Sequence, residues 1–348
     1  MQERVKELLA RVVYPGTSKS LAALGMVQAL RAEGREVSFR LVFTRSGDPF
    51  ASSLKGKCEA LLREHGYAAR AEVVFAGDLE RPLSLERVRH VVAISSGKGG
   101  VGKSTVTSNL AVALVGEGFR VGIVDADIFG PSIPAMFGAE GVRPCVVEEG
   151  VEPVERHGVK LLSIGFFAEP GAATVWRGPM ASNALRQMIE EGRWGELDFL
   201  LVDLPPGTSD IHLTLVQAVA LSGAVVVSTP QRVALADAER GINMFESPGI
   251  DVPVLGIVEN MSWFTPAELP DHRYYLFGRE GASRLASSRG LPLLGQIPIV
   301  QGVMEGGESG RPAALDGGPV AGAFREASRR LVSVLASLPG PGRRVRVK

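Results

Sequence analysis

The chain has 348 residues, enough for one large domain and a smaller one. Hydrophobic residues make up 45% of it, and its 38 basic side chains balance 38 acidic ones, so no overall positive charge favours nucleic acid. No apolar run approaches the roughly 18 residues of a membrane-spanning helix, and residues 1–13 lack the continuous apolar segment of a signal peptide. We therefore expect a cytoplasmic protein that binds no nucleic acid and has no stable membrane association.

Residues 1–78 are predicted to form a small α/β domain. Four apolar side chains share one face of a first helix: Val5, Leu8, Leu9 and Val12. Residues 22–30 then lead into a turn at residues 33–35. A strand, a helix and a second strand are expected over residues 37–43, 52–65 and 71–75. Residues 79–89 are assigned to a polar linker.

From residue 90 to residue 338, apolar β-branched runs alternate with helical stretches. The predicted strands are 91–95, 121–125, 160–164, 199–203, 224–228, 254–259 and 293–297. Continuously apolar strands are buried on both faces, which predicts an α/β domain with a mostly parallel sheet covered by helices. Ligands of such sheets bind at the carboxyl ends of the strands. Residues 339–348 form a basic tail.

A glycine-rich loop, GKGGVGKS, follows the first of these strands and precedes a helix-compatible segment. Strand, glycine-rich loop and helix, in this order, are typical of a phosphate-binding loop of an NTPase. Lys103 is expected to reach the β- and γ-phosphates of ATP, and the Ser104 hydroxyl to coordinate Mg²⁺. The nucleotide-binding residues predicted here are Gly97, Lys98, Gly99, Gly100, Val101, Gly102, Lys103, Ser104 and Thr105.

Two later strands end in aspartate. Asp125 ends the strand 121–125, with Asp127 two residues beyond it, and Asp203 ends the strand 199–203. One carboxylate after the first strand can position the attacking water while another supports Mg²⁺. Asp203 is typical of a Walker B strand, so Ser104, Asp125 and Asp203 are the predicted Mg²⁺ ligands, directly or through water.

Three further segments are expected near the nucleotide. The Pro-Pro-Gly sequence after Asp203 is predicted to sense the γ-phosphate through a backbone N–H. Asn260 follows the strand 254–259, where its amide can bond the adenine edge. Backbone around Pro298 is predicted to contact the base.

Lys98 indicates which class of phosphate-binding loop this is, since an ordinary P-loop needs no lysine directly after its first glycine. The loop resembles the deviant Walker A sequence of the MinD/ParA class of ATPases. The segments DADIFGPSIP, DLPPGTSD, VENMSWF and IPIVQGVMEGGESGRP resemble the Mrp/ApbC branch of that class, over about residues 90–335. The N-terminal part is similar to the small domain of iron–sulfur assembly factors.

This resemblance implies a homodimeric, Mg²⁺-dependent ATPase that binds iron–sulfur clusters and passes them to apoproteins, working with assembly factors. It also implies residue roles: Lys98 would reach the nucleotide of the partner subunit, and Asp127 would position the water. The predicted catalytic residues are therefore Lys98, Lys103, Asp127 and Asp203.

The sequence departs from the family in its cysteines. Many members carry Cys-x-x-Cys after the Asn-Met strand end, but residues 260–275 contain no cysteine here, and Asp48 stands where the small domain usually has one. Iron–sulfur clusters require soft thiolate ligands. Cys58 is expected to be buried on a helix and Cys145 to be exposed, while Glu268, Asp271 and His272 are harder metal ligands. The cluster ligands therefore stay unknown.

Two other functions fit parts of the sequence. A positioning ATPase would bind DNA or a membrane in its ATP-bound dimer, and a regulatory ATPase or adaptor would keep the nucleotide switch without the cluster. Membrane binding would need an amphipathic C-terminal helix. We expect that helix to pack on the sheet instead, through Val320, Phe324, Leu331, Val334, Leu335 and Leu338.

Overall fold

The computed structural model describes residues 2–15, 19–43, 48, 50–75, 83–127, 130–167, 178–208, 212, 215, 219–247, 250–266 and 268–338. The chain divides into two units. The first comprises Met1–Glu80 with the short segments Val216–Ala220 and Ser247–Asp251, and the second comprises the rest.

The described residues of the N-terminal unit form a three-stranded sheet and two helices. Its elements are α1 (Gln2–Leu9), β1 (Val27–Glu33), β2 (Glu36–Phe43), α2 (Ala51–Glu64) and β3 (Ala68–Phe75). Strand β2 lies in the centre, antiparallel to β1 and parallel to β3. The four apolar side chains predicted for the first helical face are all buried, and they share a core with Phe39 and Leu54.

Strand β1 was not among the predicted elements. A β-bulge lies between Gln28 and Arg31, and Ala29 adopts a positive φ of 49°. A bulge shifts the following side chains to the other face of the sheet. The period-two alternation that identifies a strand is therefore broken within β1.

The second unit is built on an eight-stranded sheet in the order β13-β12-β11-β4-β10-β5-β9-β8. Its strands, with a separate β6–β7 hairpin, are β4 (Val88–Ser96), β5 (Val121–Asp125), β6 (Cys145–Val147), β7 (Gly150–Glu152), β8 (Val154–Arg156), β9 (Val159–Ser163), β10 (Leu197–Asp203), β11 (Gly223–Ser228), β12 (Val254–Glu259) and β13 (Leu293–Gln296). All neighbours in the large sheet are parallel except β8 and β9. The predicted mostly parallel sheet is confirmed.

Several strand bounds differ from the prediction by one to three residues, and three short strands were not predicted. Strand β4 begins at Val88, so the last two residues of the predicted linker belong to the sheet. Strand β9 covers residues 159–163 rather than 160–164. Strands β6, β7 and β8 were missed because each has three residues and none is continuously buried.

Helices cover both faces of the large sheet. Among the described residues they are α3 (Lys103–Gly116), α4 (Ile133–Met136), α5 (Gly178–Glu191), α6 (Arg232–Glu246), α7 (Gly281–Arg289), α8 (Gln301–Glu308) and α9 (Pro319–Ser337), with single 3₁₀ turns at Leu83–Leu85, Ile164–Phe166 and Ala313–Leu315. Helices α3 and α9 share one core with the sheet, in which Leu110, Leu201 and Phe324 are buried. The C-terminal helix thus packs on the sheet as expected. Within the described residues, no helix combines the length and the apolarity needed to cross a bilayer.

Asn109 ties the first turns of α3 to the segment before α9. Its side chain is only 3% exposed. The Oδ1 atom accepts a hydrogen bond from the Ala314 amide at 2.8 Å, and Nδ2 donates to the Thr105 carbonyl at 2.8 Å. Both ends of the buried amide are therefore used, as buried polar groups require.

We predict that Asn109→Ala lowers the free energy of unfolding by about 1–3 kcal/mol, because it removes the buried Asn109 side chain and leaves the half-buried Ala314 amide without its acceptor. Asn243→Ala is the matched control, since Asn243 also lies on a helix but is exposed, and it should change stability by less than about 0.5 kcal/mol. Urea denaturation measures both values, and equal effects of the two substitutions would contradict the structural role of Asn109.

Candidate functional site

The glycine-rich loop connects β4 to α3 and is held by contacts within the chain. Gly102 precedes the first turn of α3 with a φ of 78°, and a Cβ there would lie 2.3 Å from Nδ2 of Asn260. A Cβ on Gly97 would lie 2.1 Å from the backbone carbon of Asp237 on α6. Neither position can hold a side chain without displacing a neighbour. The loop presents the N-terminus of α3, where free N–H groups favour phosphate.

Asp203 lies at the centre of the candidate site, fully buried at the end of β10. Its Oδ2 atom accepts a hydrogen bond from the Ser104 hydroxyl at 2.6 Å and lies 2.7 Å from Nζ of Lys103, which is 6% exposed. Its Oδ1 atom accepts a hydrogen bond from the Thr107 hydroxyl at 2.6 Å. The structure therefore brings three of the predicted residues together and adds Thr107, which sequence reasoning missed. Thr107 could have been found from the sequence as a hydroxyl residue one helical turn after Lys103, on the same face of α3.

Asp125 is the neighbour of Asp203 in the sheet, because these residues pair in register across β5 and β10. Its Oδ2 atom accepts a hydrogen bond from the Ser163 hydroxyl at 2.9 Å, and Oδ1 accepts one from the Asp127 amide at 3.1 Å. Burial and the adjacent Asp203 carboxylate raise the pKa of Asp125 from its usual 3.8 to about 7. Ser163 was also missed, although it ends the strand beside β5.

The donor set fits Mg²⁺ and a phosphate chain. Two fully buried carboxylates, Asp125 and Asp203, share one buried ammonium, that of Lys103. A further cation beside them would relieve the repulsion that raises the pKa of Asp125. Carboxylate and hydroxyl oxygens are the ligands that Mg²⁺ prefers, and Mg²⁺ usually bridges such residues to phosphate oxygens.

Lys98 lies in the glycine-rich loop, and Asp127 lies two residues after Asp125. Lys98 is half-buried, and across the described ranges its ammonium group makes no ion pair. Asp127 is half-buried too. The hydrogen bond from its amide to Oδ1 of Asp125 restrains the backbone from which the Asp127 side chain extends. The two residues that follow it, 128 and 129, lie outside the described residues.

Asn260 contacts the loop. The side chain is buried, and its Nδ2 atom donates to the Val101 carbonyl at 2.9 Å. The predicted contact with adenine stays a prediction, whereas the observed bond supports the P-loop backbone. Pro298 is held beside Asn260, because the Ile297 amide donates to the Glu259 carbonyl at 2.8 Å.

Glu259 is a further buried carboxylate that sequence reasoning did not single out. Its Oε2 atom accepts a hydrogen bond from the Ala282 amide at 2.7 Å, at the N-terminus of α7. Its Oε1 atom accepts one from Nε2 of Gln296 at 2.8 Å. Glu259, the residue before Asn260, therefore joins β12, β13 and α7.

The Pro-Pro-Gly segment is connected to the P-loop through Ser96. The Gly207 amide, the first N–H after the two prolines, donates to the Ser96 carbonyl at 2.9 Å. The Ser96 hydroxyl donates to the Lys98 carbonyl at 3.0 Å. One residue at the end of β4 thus contacts both the predicted switch and the loop that carries Lys98. Ser209 and Asp210 of the predicted switch lie outside the described residues.

The residues considered as cluster ligands do not form a metal centre. Cys58 is fully buried as expected, and burial raises the pKa of its thiol to about 12, which disfavours the thiolate. Cys145 is exposed, also as expected. Glu268, Asp271 and His272 are exposed. No group of three or more His, Cys, Asp or Glu side chains is arranged for a metal within the part of the chain that the structure describes.

Asp48, which stands where the small domain usually has a cysteine, accepts hydrogen bonds through both carboxylate oxygens. Its Oδ2 atom accepts a hydrogen bond from the Tyr14 hydroxyl at 2.6 Å, and Oδ1 accepts one from the Phe50 amide at 2.8 Å. The carboxylate therefore stabilises the start of α2.

We predict that Asp125 makes stability fall as pH rises. The fold favours protonated Asp125, so its contribution is complete below the unfolded-state pKa of 3.8 and is lost as pH rises through the folded-state value of about 7. Between about pH 5 and about pH 8, without Mg²⁺ or nucleotide, the wild type should lose on the order of 2–4 kcal/mol relative to Asp125→Asn. Urea denaturation at both pH values measures this, with Asp271→Asn as an exposed control. Parallel pH profiles of wild type and Asp125→Asn would contradict it.

Comparison with known proteins agrees with the predicted fold and resemblance. Residues 87–332 match the family described as NUBPL iron-transfer P-loop NTPase, and residues 2–73 match the family described as iron-sulfur cluster assembly protein. An iron-sulfur cluster carrier protein of Escherichia coli strain K12 is 50% identical, over 90% of this chain and 86% of its own length.

Two solved structures share the fold. A nucleotide-binding protein of Archaeoglobus fulgidus in complex with ADP aligns with a TM-score of 0.60 and 42% identity, over 67% of this chain and 91% of its own. The cell division ATPase MinD of Pyrococcus furiosus aligns with a TM-score of 0.51 and 23% identity, over 70% and 99% of the two chains. The predicted resemblance to the Mrp/ApbC branch and the predicted fold are thus confirmed. This chain belongs to the NUBPL iron-transfer P-loop NTPase family.

Proposed function

We propose that this chain is a cytoplasmic, homodimeric ATPase that carries iron–sulfur clusters to apoproteins. The observation that carries the proposal is the buried cluster of Lys103, Asp203 and Asp125 at the end of a glycine-rich loop, in a chain whose 50% identical relative is named an iron-sulfur cluster carrier protein. We assign nucleotide chemistry to a domain over residues 90–338 and contacts with assembly factors to a domain over residues 1–78. Since β4 begins at Val88, residues 79–87 would link them, and 339–348 would form a basic tail.

ATP and Mg²⁺ fit the site residue by residue. The loop Gly97–Ser104 and Thr105 would bind the phosphates, and Ser104, Asp125 and Asp203 would hold Mg²⁺ directly or through water. Bound Mg·ATP supplies the phosphoanhydride bond that is cleaved. Asn260 would keep the loop in place and, with backbone around Pro298, border the base. The ADP-bound relative from A. fulgidus supports a nucleotide at this loop.

Each charged side chain of the site would have its own role in catalysis. Thr107 and Ser104 hold both oxygens of Asp203, so this carboxylate has one orientation. Lys103 would bind the phosphate chain from within its own subunit. Asp127 would orient the attacking water and accept its proton. Lys98, which has no carboxylate partner among the described residues, would stabilise the transition state in the partner subunit as an arginine finger does.

A second candidate function is a regulatory ATPase or adaptor that carries no cluster. It is favoured by the absence of cysteine from residues 260–275 and by the burial of Cys58. Under this alternative, the nucleotide site would be intact and the cargo would be lost. The two candidates therefore share every property of the ATP site and differ only in bound iron and sulfide.

Mixed dimers test the proposed roles of Lys98 and Asp127. Alone, Lys98→Ala and Asp127→Asn should each lower ATP hydrolysis by about 100-fold or more. In a mixed dimer, one site combines intact Asp127 with intact Lys98 from the other subunit. Equal mixtures with random pairing should then regain about a quarter of the wild-type rate.

The matched control mixes Asp127→Asn with Lys103→Ala. Lys103 is proposed to act within its own subunit, so neither site of this mixed dimer is complete and no activity should return. Recovery in this control, or none in the Lys98→Ala mixture although mixed dimers form by native mass spectrometry, would contradict catalysis across the interface.

Anaerobic reconstitution with iron and sulfide tests the cargo. We expect the full-length protein to retain both elements after desalting, with absorbance typical of a cluster, and to activate an iron–sulfur apoenzyme. If the chain's own thiols hold the cluster, Cys145→Ser should lose it, whereas Cys58→Ser, which replaces a buried thiol, should not. A protein that hydrolyses ATP but retains no iron or sulfide would support the adaptor instead.

A further inference from the structure

A groove of about 760 Å³ lies on the three-stranded sheet of the N-terminal unit. Residues along β2 alternate between buried and exposed from Glu36 to Arg40, so one face of this strand packs on the core with α1 and α2 and the other lies open. We call the open cavity the arginine groove and define it by six of its lining residues: Arg31, Ser38, Arg40, Lys55, Arg70 and Glu72.

Strand pairing explains the shape of the arginine groove. Arg31, Ser38 and Arg70 pair in register across β1, β2 and β3, so two long side chains flank one short one. Neighbouring strands are about 4.8 Å apart, which separates the two arginine backbones by about 10 Å. The bulge in β1, with Ala29 at positive φ, bends that strand beside the row. The small Ser38 side chain forms the floor.

The arginine groove has an excess of positive charge in a chain that is neutral overall. Its only acidic lining residue, Glu72, pairs with Arg40 at 3.0 Å. Among the residues that the structure describes, Arg31, Lys55 and Arg70 make no ion pair. Like charges held close together repel one another and favour an anionic ligand.

The chemistry of the walls favours carboxylates over nucleic acid. Binding of single-stranded nucleic acid relies on aromatic side chains on which bases stack. The one aromatic residue lining the groove, Phe39, is 2% exposed and belongs to the core. By contrast, the Arg40–Glu72 pair already places a side-chain carboxylate against a guanidinium in the groove. Arginine binds carboxylates through two parallel hydrogen bonds, which adds geometric selectivity.

We propose that the arginine groove binds an acidic, extended segment of a partner protein. In an extended chain, residues i and i+2 point to the same side about 7 Å apart, so alternating carboxylates can reach Arg31 and Arg70 across Ser38. Lys55, which lines the groove from α2, adds a further positive charge. The groove lies wholly in the unit that lacks the P-loop, so this proposal stands whether or not the proposed ATP chemistry is correct.

Fluorescence anisotropy with the full-length protein tests the proposal. The probe is a fluorescein-labelled decapeptide of alternating Glu and Ser, compared with alternating Gln and Ser and with single-stranded oligothymidine. Binding is measured at about 50 mM salt, where screening is weak. We expect the acidic peptide alone to bind, and the double substitution Arg31→Glu with Arg70→Glu to weaken its affinity by about tenfold or more.

The matched control is Arg4→Glu with Arg63→Glu, which makes the same charge change at exposed positions of the same unit outside the groove. It should keep the affinity within about twofold. Circular dichroism melts check that both double variants fold. Equal weakening by the two double variants, tighter binding of oligothymidine through Arg31 and Arg70, or no binding of the acidic peptide would each overturn the proposal.

Discussion

The structure of the large unit depends on how the charge of Asp203 is balanced. This carboxylate lies in the middle of the sheet with no exposure to solvent, and an unpaired charge there would cost several kcal/mol. Lys103 supplies the opposite charge, while Ser104 and Thr107 donate hydrogen bonds to its two oxygens. Because all three partners come from the first turns of α3, the charge fixes that helix against β10. The glycine-rich loop must then turn in the space that remains.

Other contacts extend this constraint through the unit. Asn109 connects α3 to the segment before α9, and Asn260 connects the loop to the end of β12. Glu259 carries the connection to α7 through the Ala282 amide. The bonds of Asn260 and Glu259 are buried and that of Asn109 is partly buried, so each contributes more by avoiding an unsatisfied group than by its own strength. The ends of the parallel strands β4, β10 and β12 are thereby held around one loop.

Much of this arrangement could be predicted from the sequence. Continuous apolar runs identified the seven long strands of the large sheet, and the residues at their carboxyl ends identified Asp125, Asp203 and Asn260. These signals are local, since burial on both faces and strand-end position are visible within a few residues. The strand β1 was not predicted because its bulge breaks the local pattern at Ala29.

Side-chain partners that come from different strands or helices could not be predicted in the same way. Ser163 carries no signal by itself, and Thr107 is marked only by its position one helical turn after Lys103, because each hydroxyl gains its role from the carboxylate that strand order places beside it. The bond from Asn260 to the Val101 carbonyl joins residues 159 positions apart, and only the topology brings them together. The charge of the arginine groove has the same origin, since Arg31 and Arg70 are separated in sequence and meet through register.

The close packing of Gly97 and Gly102 has different consequences for the phosphate loop and for the Pro-Pro-Gly segment. Gly97 touches the backbone of α6 and Gly102 touches Asn260, so the phosphate loop holds its shape through the chain's own packing. A preorganised receptor spends little binding free energy on ordering itself, which favours affinity. A rigid loop of this kind also changes its conformation little between one bound ligand and another. If the Pro-Pro-Gly segment senses the γ-phosphate as the sequence predicts, a change there would reach the phosphate loop through the Gly207 amide and the Ser96 carbonyl to which it donates.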